Sequence, residues 1–129
     1  MNEHAEVIRY VATLVEAVES DIIKSNYQIA TGKFEAAYEL LADIGLSICS
    51  IESALMPMAS CFEDLNSEQI MCERHQLDTT LNQLLEAFDY RKYINLHEKA
   101  AQFICEFFKW KRCILTVIKP FELLSEAVV

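Results

Sequence analysis

The stretch ATGKFEAAYELLADIGLSIC, residues 30–49, decides the fold because a turn and the start of a long amphipathic helix meet in it. Gly32 follows the last residues of one apolar pattern, and Phe34 begins the next. In this second pattern apolar side chains recur every three or four residues, which is the spacing of one face of an α-helix. They are Phe34, Ala37, Tyr38, Leu41, Ile44, Ile48, Ile51 and Leu55. The linker of residues 31–33 is so short that the helices on either side must form an antiparallel hairpin.

A first helix is predicted before this turn, over residues 4–30. Its apolar face consists of Val7, Val11, Leu14, Val15, Val18, Ile22 and Ile29. Gly32 is a typical stop signal for such a helix. Pro57 ends or kinks the second helix, because its ring removes a backbone donor and crowds the preceding turn.

The rest of the chain predicts a second hairpin. After a connection at residues 58–66, a third helix runs to about Ala87. A fourth helix begins with Asp89 as its N-cap and ends at Lys119, because Pro120 follows.

The predicted fold is therefore an all-α, up-down-up-down four-helix bundle in a single domain, residues 1–129. Its two hairpins cover residues 4–57 and 67–119, and residues 120–129 form a short tail. An offset of 56 aligns the second hairpin on the first, so the two hairpins are candidates for an internal duplication.

Composition agrees with helices and argues against several classes of protein. Two Gly and two Pro are very few for the turns of a β-sandwich or barrel. The five cysteines contain no Cys-x-x-Cys pair, which argues against a disulfide framework and favours a reducing, cytoplasmic setting. The N-terminus lacks the basic and apolar regions of a secretory signal. Residues 100–118 are the most apolar stretch, but charged residues interrupt it, so no membrane partner is expected.

The charge is acidic overall and unevenly distributed. A formal net charge of −9 makes nucleic acid an improbable partner, because phosphate binding needs clustered Lys and Arg. Residues 1–65 hold three basic and eleven acidic side chains, whereas residues 91–119 hold seven basic and two acidic ones. Either a basic last helix packs among acidic ones, or it carries a basic docking stripe for an acidic partner.

Helix four is apolar over well over half of its circumference. The apolar residues are Tyr93, Ile94, Ala100, Phe103, Ile104, Phe107, Phe108, Trp110, Ile114, Leu115 and Ile118. Such a helix is either central in its domain or covered by another chain. We therefore expect a protein partner, of unknown identity, and a homodimer. The predicted partner-binding residues are Phe107, Phe108, Trp110, Lys111 and Leu115.

An alternative hypothesis is a bundle that binds a small molecule or a metal near His97. The offset of 56 places His97 on the inward stripe, at the counterpart of Leu41, and a buried imidazole must find a hydrogen-bond partner. Tyr38 is one candidate for that partner. Gly45 costs about 1 kcal/mol relative to Ala inside helix two. Close approach of a neighbouring backbone would compensate for this cost, and so would a ligand.

The sequence predicts no catalytic residues, no cofactor and no metal site. No Glu-x-x-His motif marks a di-iron bundle, and two isolated glycines cannot form a phosphate loop. Cys72 and His75 lie one turn apart, but one such pair is a weak zinc signal. No cysteine lies at a convincing helix start, where a nucleophile would be activated. We therefore expect a protein that is not an enzyme.

The segments AAYELLADI and KYINLHEKA, each next to a turn and an aromatic, and Trp110-Lys111 in the last helix carry a family resemblance. Over most of residues 20–115 the chain resembles small bacterial helical-hairpin proteins of unknown function. The resemblance implies a bundle that ends on a long, aromatic-rich helix, with no catalytic residues to transfer.

Overall fold

The computed structural model describes residues 2–57, 67–89 and 95–127. Within these ranges the chain forms four helices and no strand: α1 (Asn2–Ala30), α2 (Phe34–Leu55), α3 (Ser67–Asp89) and α4 (Leu96–Ala127). The predicted all-α fold is confirmed. The predicted connection at residues 58–66 lies outside the described residues, and so do the predicted apolar positions Tyr93 and Ile94.

The helices pack as two hairpins side by side. α1 packs mainly on α2, and α3 on α4, while a seam between α1 and α4 and a smaller one between α2 and α3 join the hairpins. Tyr38 near the start of α2 stacks edge-on against Phe88 near the end of α3. Glu52 near the end of α2 pairs with Arg74 near the start of α3. α2 and α3 are therefore antiparallel, as an up-down-up-down bundle requires.

α1 and α2 bury most of the apolar positions predicted for them, and the burial repeats in α3 and α4 at an offset of 59 rather than 56. Each buried residue of α2 has a buried counterpart at this offset: Ala37 and Leu96, Leu41 and Ala100, Ile44 and Phe103, Ile48 and Phe107, Ile51 and Trp110. The same offset relates buried residues of α1 and α3: Val18 and Leu77, Ile22 and Leu81, Ile29 and Phe88. The predicted offset of 56 is therefore wrong. Because the difference of three is nearly one helical turn, both offsets superpose apolar faces, and only burial separates them.

The turn between α1 and α2 is built on Gly32, which has a φ of 80°. Its N–H donates to the carbonyl of Ile29 at 3.2 Å, and the N–H of Lys33 donates to the carbonyl of Gln28 at 2.8 Å. These two bonds define a Schellman motif, which satisfies carbonyls that the end of a helix would leave unpaired. The predicted stop at Gly32 is confirmed.

Two predicted boundaries between helices can be compared with the structure. α2 ends at Leu55, just before Pro57, as expected. α3 continues to Asp89, so the prediction that Asp89 caps helix four is wrong. The ring of Phe88 is buried against Phe34 and Tyr38, and this contact keeps the last turn of α3 in place.

The prediction that Pro120 ends helix four is also wrong, because α4 continues to Ala127. Proline fixes φ near −65°, which a helix tolerates, so the cost is one lost hydrogen bond and steric crowding, about 3 kcal/mol. The sequence FELLSEA that follows is rich in helix-forming Glu, Leu and Ala. Of the predicted tail, residues 120–127 are thus helical, and residues 128–129 lie outside the described residues.

Gly45 lies in α2 at the seam with α3. A Cβ built on it would lie 3.2 Å from Cδ2 of Leu81. The neighbour is thus the end of a flexible side chain, and not a backbone as the sequence predicted.

The two glycines give a matched pair of substitutions. Gly32→Ala should lower the free energy of unfolding by about 1 kcal/mol, because a Cβ disfavours the left-handed backbone. The space around it is open, since no atom lies within 4 Å of the added Cβ. Gly45→Ala should be neutral or stabilising, because a gain of about 1 kcal/mol in helix propensity offsets a small shift of Leu81.

Urea unfolding followed by far-UV circular dichroism measures both variants. Equal destabilisation by the two substitutions would contradict the assignment of Gly32 as the structural turn residue.

Candidate functional site

The five residues predicted to bind a partner point in different directions from α4. Phe107 and Trp110 are 1% and 0% exposed, whereas Phe108 is 42% exposed. Lys111 and Leu115 are half-buried. Adjacent helical residues point about 100° apart, so Phe107 and Phe108 cannot share a face. Phe107 and Trp110 are therefore core residues, and only Phe108, Lys111 and Leu115 reach the surface.

Trp110 is fully buried and belongs to the core of the bundle. Its ring centroid lies 6.0 Å from that of Phe107, which in turn lies 5.7 Å from that of Phe108. The Nε1 of Trp110 is buried without a hydrogen-bond partner. Much of the apolar excess on α4 is therefore used within the chain, because α4 packs against both α1 and α3.

The outer side of α4 carries a shallow groove of about 590 Å³, which we call the basic groove. Six residues spaced along one side of the helix line it: Phe108, Lys111, Arg112, Leu115, Thr116 and Lys119. Three of the six are cationic and two are large and apolar. Sequence reasoning missed Arg112, Thr116 and Lys119, although their helical spacing from Phe108 was a readable signal.

The cations of the groove differ in their partners. The Nζ of Lys111 donates to Oε2 of Glu19 at 2.7 Å and lies 5.7 Å from the ring centroid of Phe108. Its charge is thus partly balanced, and its position is fixed. Among the side chains that the structure describes, which do not include those of residues 120–127, Arg112 and Lys119 form no ion pair. No described carboxylate therefore neutralises either charge.

A small cavity of about 80 Å³ lies at the seam between α1 and α4, next to the groove, and we call it the apolar notch. It is lined by Glu19, Ile22, Ile23 and Asn26 of α1 and by Ile104, Phe107 and Phe108 of α4. Ile23 is 64% exposed, which is unusual for so large an apolar side chain. Phe108 borders both the notch and the groove, so the two form one continuous surface.

Neither cavity contains the residues of the alternative site around His97. His97 is exposed, and at the offset of 59 it no longer aligns with the inward residue Leu41. Tyr38 is half-buried with its ring 5.7 Å from that of Phe88, and Gly45 lies next to Leu81. None of the three predicted ligand-binding residues lines the notch or the groove.

Metal chemistry finds no support among the described residues. No group of three or more His, Cys, Asp or Glu side chains there is placed to hold a metal ion. Cys72 and His75 are both exposed. In the same ranges, none of the helices combines the length and apolar character needed to cross a bilayer.

Two side chains on the flank of α4 that faces α3, Cys113 and Lys109, have raised pKa values. Burial raises the pKa of the Cys113 thiol, Glu73 raises it further, and Arg112 opposes the shift. A hydrogen bond from Lys109 to Glu106, at 3.3 Å, raises the pKa of that lysine. Cys113 is thus held as a neutral thiol at physiological pH, which is the opposite of what a nucleophilic cysteine requires.

Most of the chain, including part of this surface, matches a known sequence family. The chain belongs to the family described as Domain of unknown function (DUF8042), whose sequence model matches residues 6–112. The match covers all of α2 and α3 and the basic groove as far as Arg112. It agrees with the expected membership of a family of unknown function. No curated protein and no solved structure matches the chain.

The assignment of Trp110 to the core and of Phe108 to the surface can be tested by substitution. Trp110→Ala should cost about 3–5 kcal/mol of stability because it removes a large, fully buried side chain and leaves a cavity in the core. Trp110→Phe should cost less than half of that, because most of the ring volume stays and an unpaired buried donor is removed. Phe108→Ala should cost less than about 1 kcal/mol.

Chemical denaturation measures all three variants. The protein has one tryptophan, so its emission reports directly on position 110. In the Phe108→Ala protein this emission should stay blue-shifted, as in the parent. A red shift in that variant would show that Phe108 belongs to the core.

Proposed function

We propose that this member of the DUF8042 family acts by binding another polypeptide along the outer side of α4, without catalysing a reaction. The observation that carries the proposal is a pair of cations, Arg112 and Lys119, that form no ion pair with any described side chain and share the groove with exposed Phe108 on a chain of net charge −9. Acidic side chains are abundant in this protein, yet those within the described residues do not neutralise this pair.

The chemistry of the surface favours a protein over other partners. Aromatic residues and Arg are enriched where proteins bind each other, and Phe108, Arg112 and Leu115 provide this combination. Nucleic acid would meet strong repulsion from the acidic remainder of the chain. The groove runs from Phe108 to Lys119, a length of about 16 Å at about 1.5 Å per residue, which suits about three turns of a bound helix.

The setting we propose is the cytoplasm, because five cysteines without paired spacing suit a reducing compartment. No cofactor, metal or membrane is part of the proposed function. A bacterial source is an expectation that rests on the resemblance alone. No contact among the described residues favours the alternative of a small-molecule site near His97.

Photo-crosslinking in the native cell tests the proposal. A benzoylphenylalanine at Thr116, an exposed position in the groove, should form a covalent adduct with a protein. The same probe at Glu86, an exposed position on α3, serves as the matched control and should form none. The double substitution R112E/K119E should reduce the adduct at position 116 at least about tenfold, because it reverses the charges that attract the partner.

If position 116 gives no more adduct than position 86, or if the adduct is indifferent to R112E/K119E, the proposed function is wrong.

A further inference from the structure

We propose that the occupant of the basic groove is the outer face of α2 from a second copy of this chain. The inference rests on the proposed function and names the partner of that same surface. It follows from the charge, exposure and spacing of residues on two helices of one molecule.

The outer face of α2 is acidic, and the basic groove has no acidic residue. Between Phe34 and Leu55 the helix has acidic residues but no Lys or Arg. Glu35, Glu39, Asp43 and Leu46 are exposed, and Leu46 is 69% exposed. We call these four residues the acidic stripe.

The spacing of the acidic stripe matches the groove when the two helices are antiparallel. In an antiparallel pair, each step backward on one helix lies opposite an equal step forward on the other, at about 1.5 Å per residue on both. Placing Leu46 against Phe108 sets the register. The remaining opposed pairs are Asp43 and Lys111, Glu39 and Leu115, and Glu35 and Lys119.

This register places the apolar Leu46 opposite an apolar surface, and the carboxylates of Asp43 and Glu35 opposite cations. Leu46 meets the apolar notch, whose volume of about 80 Å³ suits a single aliphatic side chain. Asp43 reaches Lys111 and the adjacent Arg112, and Glu35 reaches Lys119. The two cations without an ion pair in the described chain, Arg112 and Lys119, thus both gain a carboxylate partner.

The two faces lie on equivalent helices that differ in charge. α2 and α4 occupy equivalent places in their hairpins, related by the offset of 59. At this offset Lys111 corresponds to Glu52, which reverses the charge, and Arg112 corresponds to the neutral Ser53. The two equivalent helices therefore differ in charge at this position, with Glu52 on α2 and Lys111 on α4.

The packing order makes the association head-to-tail. α1 contacts α2 and α4, and α3 contacts the same two helices, so α2 and α4 lie at opposite corners of the bundle. A copy that offers its acidic stripe to one neighbour keeps its own basic groove open for another. Such a contact is heterologous and builds a chain or a ring, in contrast to a two-fold homodimer, in which each face meets its equivalent.

Net repulsion between two chains of charge −9 does not prevent this contact. At physiological ionic strength charges are screened beyond about 8 Å, whereas the paired groups meet at contact distance. The local attraction between the groove and the stripe therefore outweighs the repulsion between the distant parts of the two chains.

Exchange of charges between the two faces tests the proposal. The variants are R112E/K119E, which makes the groove acidic, and E35K/D43K, which makes the stripe basic. Size-exclusion chromatography with light scattering, run with reductant because Cys49, Cys72 and Cys105 are exposed and free, measures the mass. The parent should have a mass above that of one chain, which rises with concentration. In each variant alone the contact should be at least about tenfold weaker.

An equimolar mixture of the two variants should regain the mass of the parent. In the mixture the acidic groove of one variant faces the basic stripe of the other. The unchanged basic groove of the second variant likewise faces the unchanged acidic stripe of the first. Position 35 with position 119, and position 43 with position 112, are thus again pairs of opposite charge, while Lys111 is unchanged in both variants and keeps its partner Glu19.

A control separates the contact from net charge and from folding. E68K/E86K changes the charge as much as E35K/D43K does, but on exposed positions of α3, and it should associate like the parent. Circular dichroism should show that all variants keep the helical content of the parent. A parent that stays monomeric up to hundreds of micromolar, or variants that do not recover in the mixture, would overturn the second-copy proposal.

The photo-crosslink keeps this failure distinct from failure of the proposed function. An adduct of position 116 with a different protein would overturn the second copy as the partner but uphold the function. An adduct that contains only this chain would support both.

Discussion

Four helices that are each apolar along one side are held together because these sides leave water only when the helices meet. α4 packs against α1 on one side and against α3 on the other. Phe103, Phe107 and Trp110 supply the bulk that this position requires. The outer side of α4 takes no part in this packing. Arg112 and Lys119, which lie on it, can therefore serve contacts outside the chain.

Most of the fold was predictable because it depends on local spacing. The stripe of α2, the stop at Gly32 and the end of α2 before Pro57 are all set by residues that are neighbours in sequence. The errors arose where contacts between residues distant in sequence determine a helix boundary or the alignment of the hairpins. Phe88 extends α3 because it packs on Phe34, and the correct offset of 59 is visible only in which residues are buried.

The candidate site was less predictable because composition does not reveal direction. The sequence identified α4 as the helix that carries the surface, but it grouped Phe107 and Trp110 with Phe108. These residues separate only when the neighbouring helices fix which side of α4 is inward. The apolar notch and the pair of Lys111 with Glu19, which lie 92 positions apart, also depend on how α1 meets α4. His97 was misplaced for a related reason, since an error of three in the offset turns a position by about 60° from the inward direction.

Joining two similar hairpins in one polypeptide changes what substitutions can do. In a pair of identical chains, any new side chain appears on both halves at once, so the halves stay alike. In a single chain of two hairpins, each half can acquire residues that the other lacks. The correspondence of Lys111 with Glu52 is one such difference: the two hairpins carry opposite charges at matching positions, which two identical chains could not do.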